Sequence, residues 1–354
     1  MYPTPRTQTP CTQTPWTQPA VPKNHTLHSG TPRNVFNFGK RENIGRTWEG
    51  IVHYQGVPFY EQAENSWEKK RRMEKLRRDL TAESLSKKFP GLILAGKSVA
   101  ERSSVALLTP PAEIEFLRCH GSKGQTPGET VVHRLGAPGT REVLQNEEPP
   151  YLECSLATAL LDIARWHGVR EAVVAMDDAR RRNLVNWDEV LRLLGEQEGR
   201  LRGTKAARIA CFLSHPGAES VRESLVRLEL YVNDFPAPLV QPKVLDVTGR
   251  FIARPDLLFR DESVAVEYDG QGKYRGLHGV APADAAQDDM ERQHELGTLG
   301  INAFRLDKNG FRDPAWVDNL RAVLRRNAKR PFPLAQLRNI EKAWPIRPGP
   351  RFRI

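Results

Sequence analysis

FIARPDLLFRDESVAVEYD, residues 251–269, decides how this chain is read. Val264, Val266 and Tyr268 alternate with Ala265, Glu267 and Asp269, the period of a strand with two distinct faces. With residues 260–263 as the loop of a hairpin, Phe259 pairs with Val264, and counting outward sets Asp256 opposite Glu267. Opposed residues share a face with Cβ atoms about 5 Å apart, and like charges there repel. A divalent cation would offset that repulsion. The same register sets Arg254 opposite Asp269, so an ordinary cross-strand ion pair is the competing explanation. A loop of three or five residues would turn one strand over and separate the acids.

The flanking segments build outward from this hairpin. Residues 219–231 place Val221, Leu225, Leu228 and Tyr231 at helical spacing, with Glu223 on the same helix. Residues 242–247 read as a first strand, turned by Thr248 and Gly249 into a second strand, 251–259. A Gly- and Pro-rich loop spans 270–283, and a helix over about 284–299 stops at Gly300. Residues 301–306 give another strand, and Pro314 opens a helix reaching about Asn327. Helix, three strands, helix, strand and helix make an α/β unit of about 110 residues, large enough for its own core.

This order resembles the PD-(D/E)xK nuclease superfamily. More closely it is similar to the very-short-patch-repair-endonuclease-like domain at the C-terminus of actinobacterial proteins. The matching residues are Glu223, Ser224 and Arg227 on the first helix, Asp256 in a Pro-Asp pair, and VEYDG at 266–270. Lys273 and Tyr274, Asp289 and Arg292 on the following helix, and Arg305 in FRL continue the match, which covers roughly residues 150–328. The resemblance implies a restriction-endonuclease-like fold, Mg²⁺ or Mn²⁺ as cofactor, and DNA as partner. It departs from the superfamily at one position: Asp269 stands where the name promises Lys, and the nearest cation is Lys273.

Hydrolysis of a phosphodiester needs an activated water and a Lewis acid to carry charge on the phosphate, and hard divalent ions prefer oxygen ligands. Asp256, Glu267 and Asp269 are the expected metal ligands and catalytic acids. Glu223 is a further ligand through water, or a base. Lys273 orients water or neutralises the leaving oxygen, and Arg292, Lys273 and Arg254 contact nucleic acid. Glu223 and Arg227 equally suit an i,i+4 surface pair, and Arg292 a solvated helix face. The rival function is a non-catalytic nucleic-acid-binding or antitoxin-like regulator that keeps the fold; a purely structural interaction protein is the third.

Composition narrows the alternatives. Cys11, Cys119, Cys154 and Cys211 lack C-x-x-C spacing and suit a reducing compartment, taken as the cytoplasm. Cys211 with His215, and Cys119 beside His120, lack partners at zinc spacing. We read no Walker loop, dinucleotide fingerprint or nucleophile elbow. No apolar run approaches a membrane span, and no secretory h-region opens the chain. The net charge is +10, but residues 42–318 carry 38 basic against 42 acidic residues, so the basicity lies in the ends.

Five segments are expected: a disordered Thr/Pro-rich tail (1–45), a small α+β region (46–150), a helical region (151–215), the nuclease-like domain (216–328) and a basic tail (329–354). In the second, 48–60 read as short strands, 66–79 as a charged helix, and 92–98 and 113–118 as strands. In the third, Ser155 caps the first of three or four helices and Gly168 ends it. The last offers Phe332, Trp344 and Phe352 for stacking on nucleic acid.

Overall fold

The computed structural model describes residues 66–89, 91–118, 130–134, 140–146, 151–268, 282–328 and 330–340. Asp269 and Lys273 lie outside the described residues, as do the strands expected at 48–60, the Thr/Pro-rich start, Cys11, Cys119, His120, Trp344 and Phe352. The chain divides into two compact units, Met1–Leu76 and Arg77–Ile354. Of the first, only residues 66–76 are described, the opening turns of α1 (Ser66–Lys88). The second is mixed α/β with three sheets among its described residues.

The first sheet runs β3-β2-β1-β5-β4, from β1 (Leu92–Leu94), β2 (Ile114–Arg118), β3 (Thr130–Arg134), β4 (Val143–Asn146) and β5 (Tyr151–Cys154). The strand expected over 92–98 ends at Leu94, because Gly96 takes a φ of +53° and opens α2 (Gly96–Arg102). A Cβ there would meet the Glu115 carboxylate at 1.8 Å, so glycine is required.

This stretch also corrects our reading that no Walker loop is present, since GLILAGKS at 91–98 satisfies G-x-x-x-x-G-K-S. The letters are met without the loop: Leu92–Leu94 is a buried strand instead of a phosphate cradle. The Lys97 N–H donates to Glu115 Oε2 at 2.7 Å, and Lys97 Nζ donates to Thr109 Oγ1 and pairs with Glu171 at 3.1 Å. Protein carboxylates hold the donors that a phosphate would need.

Four helices follow: α3 (Leu156–His167), α4 (Val169–Arg181), α5 (Trp187–Gln197) and α6 (Thr204–Leu213). Ser155 accepts from the Thr158 N–H as the expected cap, and Gly168 at φ +89° turns α3 into α4. Leu160, Leu161, Ile163, Val173, Met176, Leu193 and Leu213 fill the space between these helices.

The C-terminal part comprises α7 (Val221–Val232), β6 (Leu239–Val240), β7 (Lys243–Leu245), β8 (Phe251–Ala253), β9 (Leu257–Phe259), β10 (Val264–Tyr268), α8 (Pro282–Thr298), β11 (Asn302–Leu306), α9 (Lys308–Arg312), α10 (Ala315–Arg326) and β12 (Leu337–Arg338). Its larger sheet has the order β11-β10-β9-β6. Side chains alternate across it as period 2 demands. Leu257, Phe259, Val264 and Val266 share one core with Val226 and Leu230 of α7 and Trp316 and Leu320 of α10. Leu258 and Ala265 share the other with Leu296 of α8. None of the described helices is long and apolar enough to cross a membrane.

Three expectations change. The strand read over 251–259 is two strands in two sheets, β8 with β7 and β12, and β9 with β6 and β10, parted at Arg254 and Pro255. Part of the stretch expected as a tail from 329 is folded: β12 pairs with β7, and Phe332, offered for stacking, is buried in the β8–α8 core. Arg227 is no surface partner of Glu223. It is 1% exposed, donates to the Leu213 carbonyl, and pairs with Asp177 of α4 at 2.5 Å. Asp177 also accepts from Ser224 Oγ and the His215 N–H, both at 2.7 Å.

Removing one partner of a buried pair leaves the other charge uncompensated, which costs about 3–5 kcal/mol. Arg227→Ala is therefore expected to destabilise the protein by roughly that amount, read as a lower urea midpoint. A midpoint unchanged from wild type would show that the pair does not hold α7 against α4.

Candidate functional site

The site begins where the hairpin ladder stops. Phe259 pairs with Val264, Leu258 with Ala265 and Leu257 with Val266, the register expected of a loop over 260–263. One step further would set Asp256 opposite Glu267, but the chain bends there and leaves the ladder. Proline has no N–H and is poorly tolerated inside a sheet, so Pro255 accounts for the departure. Asp256 instead turns its carboxylate onto the strand end: Oδ2 accepts from the Tyr268 N–H at 2.8 Å. Oδ1 accepts from Gln241 Nε2 at 3.1 Å.

Glu267 is placed from the other side. In the parallel register of β10 and β11 it stands beside Arg305. Its Oε2 accepts from Arg305 Nη2 at 3.1 Å and lies 3.6 Å from Arg292 Nη2 of α8. Among the described residues Oε1 takes no hydrogen bond. Asp256, Glu267, Arg254, Arg292, Arg305 and Glu219 line one pocket of about 230 Å³, together with Phe251 and Gln241.

The expected residues therefore divide into three groups. Asp256, Glu267, Arg254 and Arg292 meet in this pocket. Arg254 lies outside both strands, next to the break at Pro255, and donates to Glu219 at 2.8 Å; its expected partner across the ladder, Asp269, is outside the described residues. Glu223 stands behind the pocket wall, joined to Asp256 through Gln241, whose Nε2 donates to Glu223 Oε2 at 3.0 Å. Asp269 and Lys273 cannot be placed, being outside the described residues.

Gln241 went unnoticed in the sequence and is the residue that ties the acids together. It is buried, adopts φ +47°, and its N–H donates to the Asp256 carbonyl at 2.9 Å. A left-handed backbone at a non-glycine residue is uncommon and is held here by these bonds and by Asn339, which donates to its carbonyl at 3.1 Å. Nothing local in the sequence marks it. Glu219 and the pairing of Arg305 with Glu267 were also missed, since both depend on neighbours distant in the chain.

The electrostatics follow from this packing. Burial pushes the Glu223 carboxyl above the ordinary glutamate range, and the Glu219 carboxylate adds to the rise. Hydrogen bonds from the Glu219 N–H, Ser220 and Gln241 act against it. Away from the pocket, burial pushes the Cys211 thiol up to about 12, so it stays protonated and a poor ligand at neutral pH.

Hard carboxylate oxygens suit Mg²⁺ or Mn²⁺, and Asp256 and Glu267 supply two of the three expected groups. No cluster of three or more His, Cys, Asp or Glu able to hold an ion occurs among the described residues. The third expected ligand, Asp269, follows Tyr268 directly and lies outside them. Comparison with known proteins adds nothing: no family model, no curated protein and no solved structure matches the chain.

Glu223 gives the site a pH signature. A carboxyl whose folded pKa is raised binds its proton more tightly when folded. Stability then falls as pH climbs from the ordinary glutamate value through the raised one. Glu223→Gln removes that titration, so the stability of wild type relative to this variant should decline across the window. Denaturant unfolding of both proteins over a pH series checks it, and parallel stability curves would contradict it.

Proposed function

We propose that this pocket is the active site of a metal-dependent DNA endonuclease, on a restriction-endonuclease-like domain resembling the very-short-patch-repair endonucleases. The observation that carries the reading is the convergence of Asp256 and Glu267 with Arg292 and Arg305 on one small pocket. The succession of α7, β7 to β10, α8, β11 and α10 is consistent with that fold. A reducing cytoplasm suits Cys211, a free thiol buried in the helical core.

In this reading Asp256, Glu267 and Asp269 hold a Mg²⁺ or Mn²⁺ ion, which supplies Lewis acidity and an activated water. The rest falls to the chain itself. Gln241 and the Tyr268 N–H fix the Asp256 carboxylate. Arg292 and Arg305 present guanidinium donors to phosphate oxygens, which they recognise well. Glu223 stands behind the wall and steadies the Asp256 carboxylate through the Gln241 amide, which donates to both.

Charge balance sharpens the expectation. Among the described residues three guanidinium groups and three carboxylates line the pocket, and this near-neutral lining attracts a polyanion weakly. DNA affinity at fixed salt should therefore rise when Ca²⁺ or Mg²⁺ is added. The pairing of Glu267 with Arg305 favours a second reading, a regulator that binds DNA without cutting it, because the guanidinium competes with a cation for the carboxylate.

Cleavage of plasmid and of single-stranded DNA in Mg²⁺ or Mn²⁺, with activity on either counted, separates the two. The endonuclease reading expects cleavage by wild type, lowered about a hundredfold or more in Asp256→Asn and Glu267→Gln. DNA binding without cleavage, unaltered in both variants, would overturn it in favour of the regulator.

A further inference from the structure

Phe251 stands on the wall of this pocket and is 55% exposed, a large apolar ring among charged groups. Its strand neighbours Ile252 and Ala253 are buried, so β8 is packed in place and the ring is what it presents. The turn between β7 and β8 is closed by hydrogen bonds to one carboxylate. Asp246 accepts from the Thr248 N–H at 2.8 Å, from Thr248 Oγ1 at 2.6 Å and from the Arg250 N–H at 2.9 Å. Arg250 in turn donates to Glu295 of α8 at 2.8 Å, tying the turn to the helix that bears Arg292. The backbone beneath the ring is thus held on the wall of the pocket that Arg254, Arg292 and Arg305 also line.

An aromatic side chain beside phosphate-binding guanidinium groups matches one kind of ligand well. A nucleobase offers its flat face to such a ring only when it is unstacked, whereas a base within a duplex shows only its edges. Base-on-aromatic stacking tolerates any sequence, because every base has a π face. Resting on the nucleic-acid reading of the pocket, we propose that its substrate is single-stranded DNA, one base of which stacks on Phe251 while the adjoining phosphate meets Arg292 and Arg305.

The test measures binding of the full chain in Ca²⁺ at fixed salt, by fluorescence anisotropy, to labelled oligothymidylate and to a blunt duplex of equal length. Wild type should prefer the single strand. Phe251→Ala should weaken single-strand binding about tenfold or more and leave duplex binding unchanged, and Phe251→Trp should restore it. Because the ring is exposed, all three proteins should melt alike. Equal affinity of wild type for both DNAs, an Ala variant that binds as wild type does, or an equal loss on both DNAs would overturn the proposal. If binding persists and is lost in Arg292→Ala but not in Phe251→Ala, only the stacking role fails. If wild type binds neither DNA, the nucleic-acid reading fails with it.

Discussion

Pro255 is the constraint on which the site depends. A residue without an N–H cannot continue a ladder, and its fixed φ steers the chain out of the sheet. Between Ala253 and Leu257 the backbone passes from the β12-β7-β8 sheet to the sheet of β9 and β10. Asp256 falls in that passage, not on a strand, and its side chain is free to turn toward the Tyr268 N–H. Arg254, on the other side of the proline, swings to Glu219. One break thus opens the pocket, aims one acid into it, and sets a cation at its rim.

What stabilises this arrangement lies largely behind it. Gln241 spans Glu223 and Asp256 with one amide, and its strained backbone persists because Asp256 and Asn339 hold both of its peptide groups. One layer deeper, Arg227 and Ser224 of α7 close on Asp177 of α4, so the helix carrying Glu223 is anchored to the helical bundle. A pocket needing carboxylates close together in poor solvent requires such support, since their repulsion would otherwise spread them.

The register of the central hairpin was legible because alternation and a four-residue loop are local signals, and the β9–β10 pairs follow it residue for residue. Helix ends marked by Ser155 and Gly300 were legible for the same reason. The division of 251–259 was not legible from the Thr248–Gly249 turn and the hairpin loop, which bound the stretch as one strand, although Pro255 was the available signal. Arg227 looked like one half of an i,i+4 pair; its true partner lies 50 residues away and leaves no mark nearby. Gln241 and the Arg305–Glu267 pairing were beyond reach for a similar reason. Both arise from parallel pairing and from sheet-to-sheet packing, which local periodicity does not encode.

The competition at Glu267 is the point on which the account turns: a guanidinium and a metal ion cannot both dominate one carboxylate. Titrating Mn²⁺ into the full-length protein, with bound and free ion distinguished by electron paramagnetic resonance, measures it directly. The account predicts saturable binding to wild type that is abolished by Glu267→Gln and by Asp256→Asn. No bound Mn²⁺ in wild type, or binding that survives both substitutions, would contradict it.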